Sequence, residues 1–333
     1  MESVGLTKAR SIGPIAEEVE RAGGSVARVF RNAELPLGIL DQPERLILLR
    51  DQLRLLECAA REIGDDALPA RLSVKAGVPG LGNYGRRMLD APRLEAAIHS
   101  SIDLIGPLLQ SATSIGLVRN GPWAKWTYRV TDAAVIGRQK NEILALGYVL
   151  DLFRRFAGAA WQPARVELTG AALPERASVQ DALHCTIERG EVAGVTFPAE
   201  LLDLPNPQRR AAAGDAASEV PDAADLVACV EHLLALALLD GRPRIDWLCR
   251  RLNLSRRTLQ RHLALCGTTF DDILQRVLTR QATALMANPT QPVTAIALEL
   301  GYSDPAHFTR AFTRWTGQAP RDWRRTAGRR PKS

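Results

Sequence analysis

The arrangement of apolar positions divides the chain into a region of mixed periodicity and a region of purely helical periodicity. Between residues 11 and 205, apolar stripes at three- and four-residue spacing are interrupted by short segments in which apolar and polar residues alternate. The first spacing indicates a helix with one buried face, and alternation indicates a strand. From residue 222 onward only the helical spacing occurs. The pattern predicts an α+β N-terminal domain followed by an all-α C-terminal domain.

The N-terminal region begins with predicted helices. Two short helices are expected within residues 11–32, separated by a Gly-Gly pair. A longer helix is predicted from Pro43 to about Ile63, because leucine recurs there every three or four residues. Its expected buried stripe is Leu46, Leu49, Leu53, Leu56 and Ala60. Residues 92–111 are predicted as one further helix.

Strand-like segments follow the helices. Residues 114–130 contain two runs of strand character around an Asn-Gly-Pro turn signal at 120–122, which predicts a hairpin. A long helix is predicted over residues 131–156. After it, a short strand is expected near residue 166, and residues 183–198 are predicted as a second hairpin that turns at Arg189-Gly190.

A change of composition separates the two predicted domains. Residues 206–221 are rich in Pro, Ala and charged side chains, which is typical of a linker. We therefore expect a regulatory domain over residues 11–205 and a helical domain over residues 222–327.

The helical domain contains two predicted helix-turn-helix units. In the first, residues 243–252 and 256–265 form helices around a turn that begins at Asn253, a residue that tolerates a left-handed backbone. In the second, the turn begins at Gly301 and the following helix extends to about Thr316. Residues 269–287 between the units are predicted as one helix of 19 residues, about 28 Å long.

The second unit carries a recognisable pattern. Ala297, Gly301, Phe308, Arg310 and Phe312 are followed by a Gly-x-x-Pro at residues 317–320. This spacing resembles the signature of AraC/XylS-type transcription regulators. Residues 15–205, with the phrases WQPARVEL and VTFPAELLDLP, resemble the N-terminal effector domain of the ornithine-responsive, arabinose-binding-like branch of that family.

The resemblance implies binding of promoter DNA in the major groove, and the length of the predicted connecting helix would let one chain reach two adjacent turns. It also implies an unknown small-molecule effector, contact with RNA polymerase, activation of a nearby operon and a possible homodimer. The base-facing positions that match the family pattern are Arg257, Gln260 and Arg261 in the first unit and Pro305, Ala306, Thr309 and Arg310 in the second. The full set of expected DNA-binding residues is Ser255, Arg256, Arg257, Gln260, Arg261, Ser303, Pro305, Ala306, Thr309, Arg310 and Arg314.

Charge is distributed unevenly and agrees with a DNA-binding module. The formal net charge is +6, but residues 222–333 hold 17 of the 43 Lys and Arg against only 10 of the 37 Asp and Glu. The basic excess therefore belongs to the C-terminal third, as a nucleic-acid module would require. The basic tail, with Arg324, Arg325, Arg329, Arg330 and Lys332, is expected either to attract phosphate nonspecifically or to be a solvated terminus.

The N-terminal domain offers one concentration of aromatic side chains, which we take as the candidate effector site. Trp123, Trp126 and Tyr128 lie in one predicted hairpin although aromatic residues make up only 5% of the chain. A small-molecule pocket is usually apolar with a few polar groups. The simpler interpretation is that Trp126 and Tyr128 only pack against the helix that follows.

A glycine-rich segment raises an enzymatic alternative. Gly80, Gly82 and Gly85 have the G-x-G-x-x-G spacing of dinucleotide-binding loops, which should follow a strand and be answered by an acid about 20 residues later. The candidate acid, Asp103, lies inside a predicted helix, so a tight helix entry is favoured. An architectural DNA-binding protein without effector is the second alternative.

Other chemistry receives little support from the sequence. The five cysteines have no CxxC or CxxH spacing, so no metal site is predicted. No catalytic constellation is readable, and we expect neither a cofactor nor an enzymatic activity. No apolar run approaches the length of a membrane span, and the chain is expected to be a cytoplasmic protein.

Overall fold

The computed structural model describes residues 4–131, 136–170, 172, 175–207 and 220–327. The chain separates into two compact units, Met1–Ala224 and Asp225–Ser333. The predicted tail contacts of Arg329, Arg330 and Lys332 lie outside the described residues, as does most of the predicted linker.

The N-terminal unit combines helices with two sheets. Its strands are β1 (Leu6–Lys8), β2 (Leu46–Leu48), β3 (Thr113–Asn120), β4 (Trp123–Val130), β5 (Arg165–Leu168), β6 (Ile187–Arg189) and β7 (Ala193–Pro198). Its helices are α1 (Ile15–Arg21), α2 (Val26–Asn32), α3 (Leu49–Ile63), α4 (Leu68–Gly80), α5 (Asn83–Leu89), α6 (Leu94–Leu108), α7 (Arg138–Ala157) and α8 (Arg176–Leu183). The predicted α+β class is confirmed.

The larger sheet has the order β3-β4-β7-β5-β6, and β1 pairs with β2 in the smaller one. The predicted hairpin of β3 and β4 is confirmed. Its strands pair from Asn120 with Trp123 to Thr113 with Val130, and the two-residue turn Gly121-Pro122 connects them. Helix α7 covers the sheet. Phe153 of α7 is fully buried and meets the ring of Phe197 on β7 edge to face, with 4.5 Å between centroids.

The prediction of a second hairpin at Arg189-Gly190 is wrong. Strand β6 pairs in parallel with β5, and β7 lies on the other side of β5. A parallel pair needs a crossover connection, usually a helix, and α8 supplies it between β5 and β6. The backbone N–H of Gly190 donates to the Leu168 carbonyl at 2.9 Å, which continues the β5 pairing instead of closing a turn.

Two predicted helices begin later than expected. The helix placed from Pro43 begins at Leu49, because residues 46–48 form β2 and pair with β1. All three β2 residues are buried, which fits a covered strand better than a one-sided helix stripe. The helix placed from residue 131 begins at Arg138, after Gly137 with φ +75°. A side chain on Gly137 would collide with the Leu53 carbonyl, so α3 and α7 approach closely there.

The C-terminal unit contains only helices among its described residues. These are α9 (Leu226–Ala237), α10 (Ile245–Leu252), α11 (Arg256–Leu265), α12 (Phe270–Met286), α13 (Val293–Glu299), α14 (Pro305–Thr316) and α15 (Pro320–Ala327). The predicted pair of helix-turn-helix units joined by a long helix is confirmed. The joining helix α12 has 17 residues, two fewer than predicted, one at each end. At its start, Thr269 and Asp272 form a capping box that places Thr269 outside the helix.

Candidate DNA-reading helices and a buried cavity

The turn of the first unit is fixed by two polar residues. Asn253 adopts a left-handed conformation, with φ 53° and ψ 41°, directly after α10. Two residues later the Ser255 hydroxyl oxygen accepts the backbone N–H of Thr258 at 3.1 Å, which caps α11. Leu259 and Leu263 of α11 are fully buried. The inner face of α11 is therefore held against its unit while the opposite face is free.

The free face of α11 is basic. Arg256, Arg257, Gln260 and Arg261 are all exposed, at spacings that place them on one side of the helix. Within the described part of the chain, neither Arg257 nor Arg261 has a carboxylate partner. Their guanidinium groups are thus available for a planar bidentate acceptor such as the O6 and N7 of guanine.

The turn of the second unit depends on a glycine. Gly301 has φ +77°, and a Cβ there would lie 2.8 Å from the backbone nitrogen of Arg242. The Asp304 carboxylate accepts the Ala306 N–H at 2.8 Å, so Asp304 caps α14, whereas Ser303 is exposed and does not cap. The Tyr302 ring packs against Phe308 at 5.5 Å between centroids. These contacts seat α14 in the unit.

The outward face of α14 offers fewer hydrogen-bond donors than that of α11. Phe308 and Phe312 are fully buried, and Ala306, Arg310 and Arg314 are exposed, while Pro305 and Thr309 are half-buried. The Thr309 hydroxyl donates to the Pro305 carbonyl at 2.9 Å, so its proton is already used. Only its methyl group and lone pairs remain for a ligand. Arg310 has no carboxylate partner among the described residues.

Two other arginines of the unit have a structural role. Glu231 on α9 accepts Arg276 at 3.0 Å and Arg280 at 2.8 Å from α12. Burial opposes ionisation of Glu231, but the hydrogen bonds from Arg280 and Arg276 outweigh it and hold the pKa of Glu231 below its usual value. The pairs tie α12 to α9.

The N-terminal unit contains a cavity of about 60 Å³ between β4, α6 and α7. Most of its lining is apolar, including Leu81, Met88, Ile105, Leu144 and Leu152. Trp126 and Tyr128 also line it, and their rings stack with 6.1 Å between centroids. Trp126 is only 3% exposed, but Trp123 is 44% exposed and does not line the cavity. The structure brings two of the three predicted aromatic residues together and separates the third.

A chain of polar side chains crosses one wall of the cavity. The Tyr128 hydroxyl oxygen accepts Gln110 Nε2 and Asn141 Nδ2, each at 2.8 Å. Asn141 Oδ1 in turn accepts Gln52 Nε2 at 2.8 Å, and Gln52 Oε1 accepts the hydroxyl of Ser11. Burial raises the pKa of Tyr128, with the amide donors opposing that rise, so the hydroxyl stays protonated near neutral pH.

Sequence reasoning missed the polar members of this wall. Gln52 and Asn141 are nearly fully buried. Gln52 lies three residues after Leu49 and four before Leu56, on the apolar stripe of α3. A polar side chain on a buried apolar stripe needs hydrogen-bond partners. The position of Gln52 in the sequence could therefore have indicated a buried polar network.

The glycine-rich segment does not have the geometry of a dinucleotide site. Gly80 ends α4, and Gly82, with φ +63°, precedes α5, so the segment joins two helices and follows no strand. A Cβ on Gly85 would collide with the Val78 carbonyl, which explains the glycine by close packing. Asp103 lies within α6. The nucleotide alternative is not favoured.

Neither a metal site nor a membrane-spanning helix occurs among the residues that the structure describes. No group of three or more His, Cys, Asp or Glu side chains is placed to hold a metal ion within the described ranges. Among the helices that the structure describes, none is long and apolar enough to cross a bilayer.

Comparison with known proteins identifies similar sequences and one partly similar structure. Residues 23–206 match a family model described as the arabinose-binding domain of AraC transcription regulator, N-term, and residues 248–326 match a helix-turn-helix domain model. The chain is 26% identical to the HTH-type transcriptional regulator VirS of Mycobacterium tuberculosis, over 98% of this chain and 99% of VirS. It is 27% identical to the ornithine utilization regulator of Pseudomonas aeruginosa, over 92% of each. The crystal structure of the regulator CdpR from Pseudomonas aeruginosa matches 78% of this chain and 87% of CdpR at 20% identity, with a TM-score of 0.35.

Proposed function

Since the chain belongs to the AraC family of DNA-binding transcription regulators, we propose that α11 and α14 are its two recognition helices, each in one major groove. The observation that carries this proposal is the shared design of the two units. In each, a left-handed residue and a side-chain cap start a helix that buries one face and exposes arginine on the other. The proposed contacts are Ser255, Arg256, Arg257, Gln260, Arg261, Ser303, Pro305, Ala306, Thr309, Arg310 and Arg314.

The two helices are proposed to read DNA differently. On α11, Arg257 and Arg261 present guanidinium groups for guanine, and Gln260 suits adenine. On α14, Ala306 and the Thr309 methyl suit a thymine methyl, and Arg310 is the main donor. The first unit then supplies most of the discrimination by hydrogen bonding, and the second reads shape and methyl groups.

Helix α12 sets the separation of the two readers. Its 17 residues span about 26 Å, somewhat less than the roughly 34 Å between successive major grooves on one DNA face. The capping box at Thr269 and the Glu231 ion pairs to α9 support it at one end and along its length. One chain is proposed to cover two adjacent turns of promoter DNA.

The N-terminal unit is proposed to sense a small molecule in the cavity beside Trp126 and Tyr128. A bound molecule shifts the protein toward one state in proportion to its differential affinity for the two states. We further propose that the regulator contacts RNA polymerase, works as a homodimer and activates a neighbouring operon, as the family membership supports. No catalytic step is assigned to the chain.

The proposal is tested by selecting DNA from a random library with the full-length protein. Arg257→Ala and Arg310→Ala should relax the recovered motif at two places separated by about one helical turn. Arg280→Ala is the matched control, because it removes the same charge from an arginine that is paired with Glu231.

Two results would decide against the proposal. If both variants relax the motif at the same place, α11 and α14 do not read two separate grooves. Recovery of no motif at all, with tight binding to every sequence, would instead favour an architectural DNA-binding protein.

A further inference from the structure

The cavity of the N-terminal unit is electrically neutral. None of the described residues that line it is Asp, Glu, Lys, Arg or His. Moving an ionised group from water into such surroundings without a partner costs several kcal/mol. An amino acid zwitterion, a carboxylate or an amine would therefore lose more in desolvation than the wall could return. The lining therefore disfavours ligands that carry a charge.

The polar side chains of the cavity wall are largely committed to each other. Tyr128 accepts two amide donors, and Gln52 links Asn141 to Ser11. A molecule with many hydroxyl groups, such as a free sugar, would need several of these bonds to break. The wall therefore favours a molecule with few polar groups.

One donor in the wall lacks a partner. The indole N–H of Trp126 is buried and has no hydrogen-bond acceptor among the described residues. An unsatisfied buried donor costs about 1–3 kcal/mol. Trp126 lines the cavity, so a molecule that expands the cavity and brings a single acceptor oxygen to this nitrogen would remove that cost, and Trp126 then adds specificity for one such group.

The size of the cavity sets a second requirement. Its volume of about 60 Å³ is well below the roughly 150 Å³ of an apolar protein cavity that admits benzene. A larger guest requires lining side chains to move. Met88 is unbranched and lines the cavity, so it can change rotamer at low cost.

We propose that this cavity binds an uncharged, mainly apolar small molecule that carries one hydrogen-bond-accepting oxygen, of the class of simple alcohols, phenols and ketones. The inference rests on the proposed effector-sensing function and names its ligand class. Entry of the molecule displaces Met88 and supplies the acceptor for Trp126. The state with an expanded cavity is the one that the molecule stabilises.

The test uses three probes with one ring and different charge: benzyl alcohol, benzoate and benzylamine. Their dissociation constants for the full-length protein are measured by ligand-observed NMR near pH 7. Benzyl alcohol should bind at least about tenfold more tightly than either ion, since each factor of ten corresponds to about 1.4 kcal/mol. Equal or tighter binding of benzoate or benzylamine would overturn the inference.

Substitutions of lining residues test whether the probes bind in the cavity. Ala145 lines it on α7, so Ala145→Leu should fill it and abolish benzyl alcohol binding, whereas Ala157→Leu on the same helix, away from the cavity, should not. Met88→Ala enlarges the cavity and should tighten binding. If no probe binds either the wild-type protein or Met88→Ala, the inference is wrong.

Promoter binding, measured on the same samples, distinguishes failure of the proposed ligand class from failure of the proposed effector-sensing function. If benzyl alcohol binds as expected and its occupancy changes promoter affinity, both stand. If it occupies the cavity without changing promoter affinity or reporter expression, the ligand class stands and the sensing role fails. If a charged effector is found that alters promoter binding while Ala145→Leu has no effect, the sensing role stands and this cavity is not its site.

Discussion

Gly301 and Arg242 lie so close that a Cβ on the glycine would be 2.8 Å from the arginine backbone nitrogen. The guanidinium group of the same arginine covers the Tyr302 ring, 5.0 Å from its centroid. The segment between α9 and α10 is therefore packed on the turn of the second unit. A substitution at Gly301 therefore disturbs both the turn of the second unit and the segment between α9 and α10.

Gly301→Ala should destabilise the protein through two effects. It places a side chain at φ +77°, which costs about 1–2 kcal/mol, and it adds a backbone collision. Gly317→Ala is the matched control, because Gly317 has φ +74° but no atom within 4 Å of a new Cβ. Thermal unfolding should show a larger loss for Gly301→Ala, and equal losses would mean that the contact with Arg242 yields at no cost.

Arg257→Ala or Arg261→Ala should cost about 1–3 kcal/mol at particular base pairs, because a bidentate guanine contact is lost. Binding of the full-length protein to its operator and to single-base variants of that operator measures the effect. Arg314→Ala, at the far end of α14, is expected to weaken all sequences alike and to lower the salt dependence. Uniform losses for Arg257 and Arg261 as well would identify them as phosphate contacts.

Tyr128→Phe should destabilise the N-terminal unit by about 1–3 kcal/mol, because it leaves the amide donors of Gln110 and Asn141 without their acceptor. Tyr84→Phe is the comparison, since the Tyr84 hydroxyl only donates to a helix carbonyl, that of Ser101, at 3.0 Å. Denaturant unfolding should rank Tyr128→Phe as the more destabilised. The opposite ranking would show that the buried amides find other partners.

Trp126→Phe should leave the protein folded and remove its response to effector. The substitution deletes a donor that has no acceptor among the described residues, so no hydrogen bond within them is lost. A melting curve paired with a reporter assay measures both properties. If Trp126→Phe unfolds the protein or responds like the wild type, the residue serves packing alone.

Acid should weaken the attachment of α12 to α9. The pKa of Glu231 is lowered in the folded state, so its contribution to stability is present above its unfolded value near 4.5 and is lost as pH falls through the folded value. Glu231→Gln should unfold at a lower temperature than the wild type near pH 7, by an amount equivalent to about 1 kcal/mol or less per pair. The difference should shrink below about pH 4. A constant difference across this range would exclude the ion pairs as its source.

Local patterns predicted the C-terminal unit well because its elements depend on neighbours in sequence. Asn253 and Gly301 mark turns, and Ser255 and Asp304 begin helices, each within one turn of the residues they affect. The hairpin of β3 and β4 was equally readable, since its turn fixes its register.

The sheet and the cavity depended on contacts that no local signal contains. Strand β6 has the composition of a hairpin arm, but its partner is β5 across the α8 crossover. Trp123 was grouped with Trp126, although alternation along a strand places residues an odd number apart on opposite faces. Applied strictly, that rule separates Trp123 from Trp126 and Tyr128, as the structure does.

The polar chain from Ser11 through Gln52 and Asn141 to Tyr128 has a consequence for biosynthesis. Its members are separated by up to 130 residues, so the wall of the cavity cannot assemble until α7 has left the ribosome. Loop closure over such distances slows folding. The C-terminal helices, whose hydrogen bonds are mostly local, face no such delay. The newly made chain therefore passes through a stage in which Ser11, α3 and β4 are present without Asn141, the residue that joins Gln52 to Tyr128, and chaperone binding is expected there.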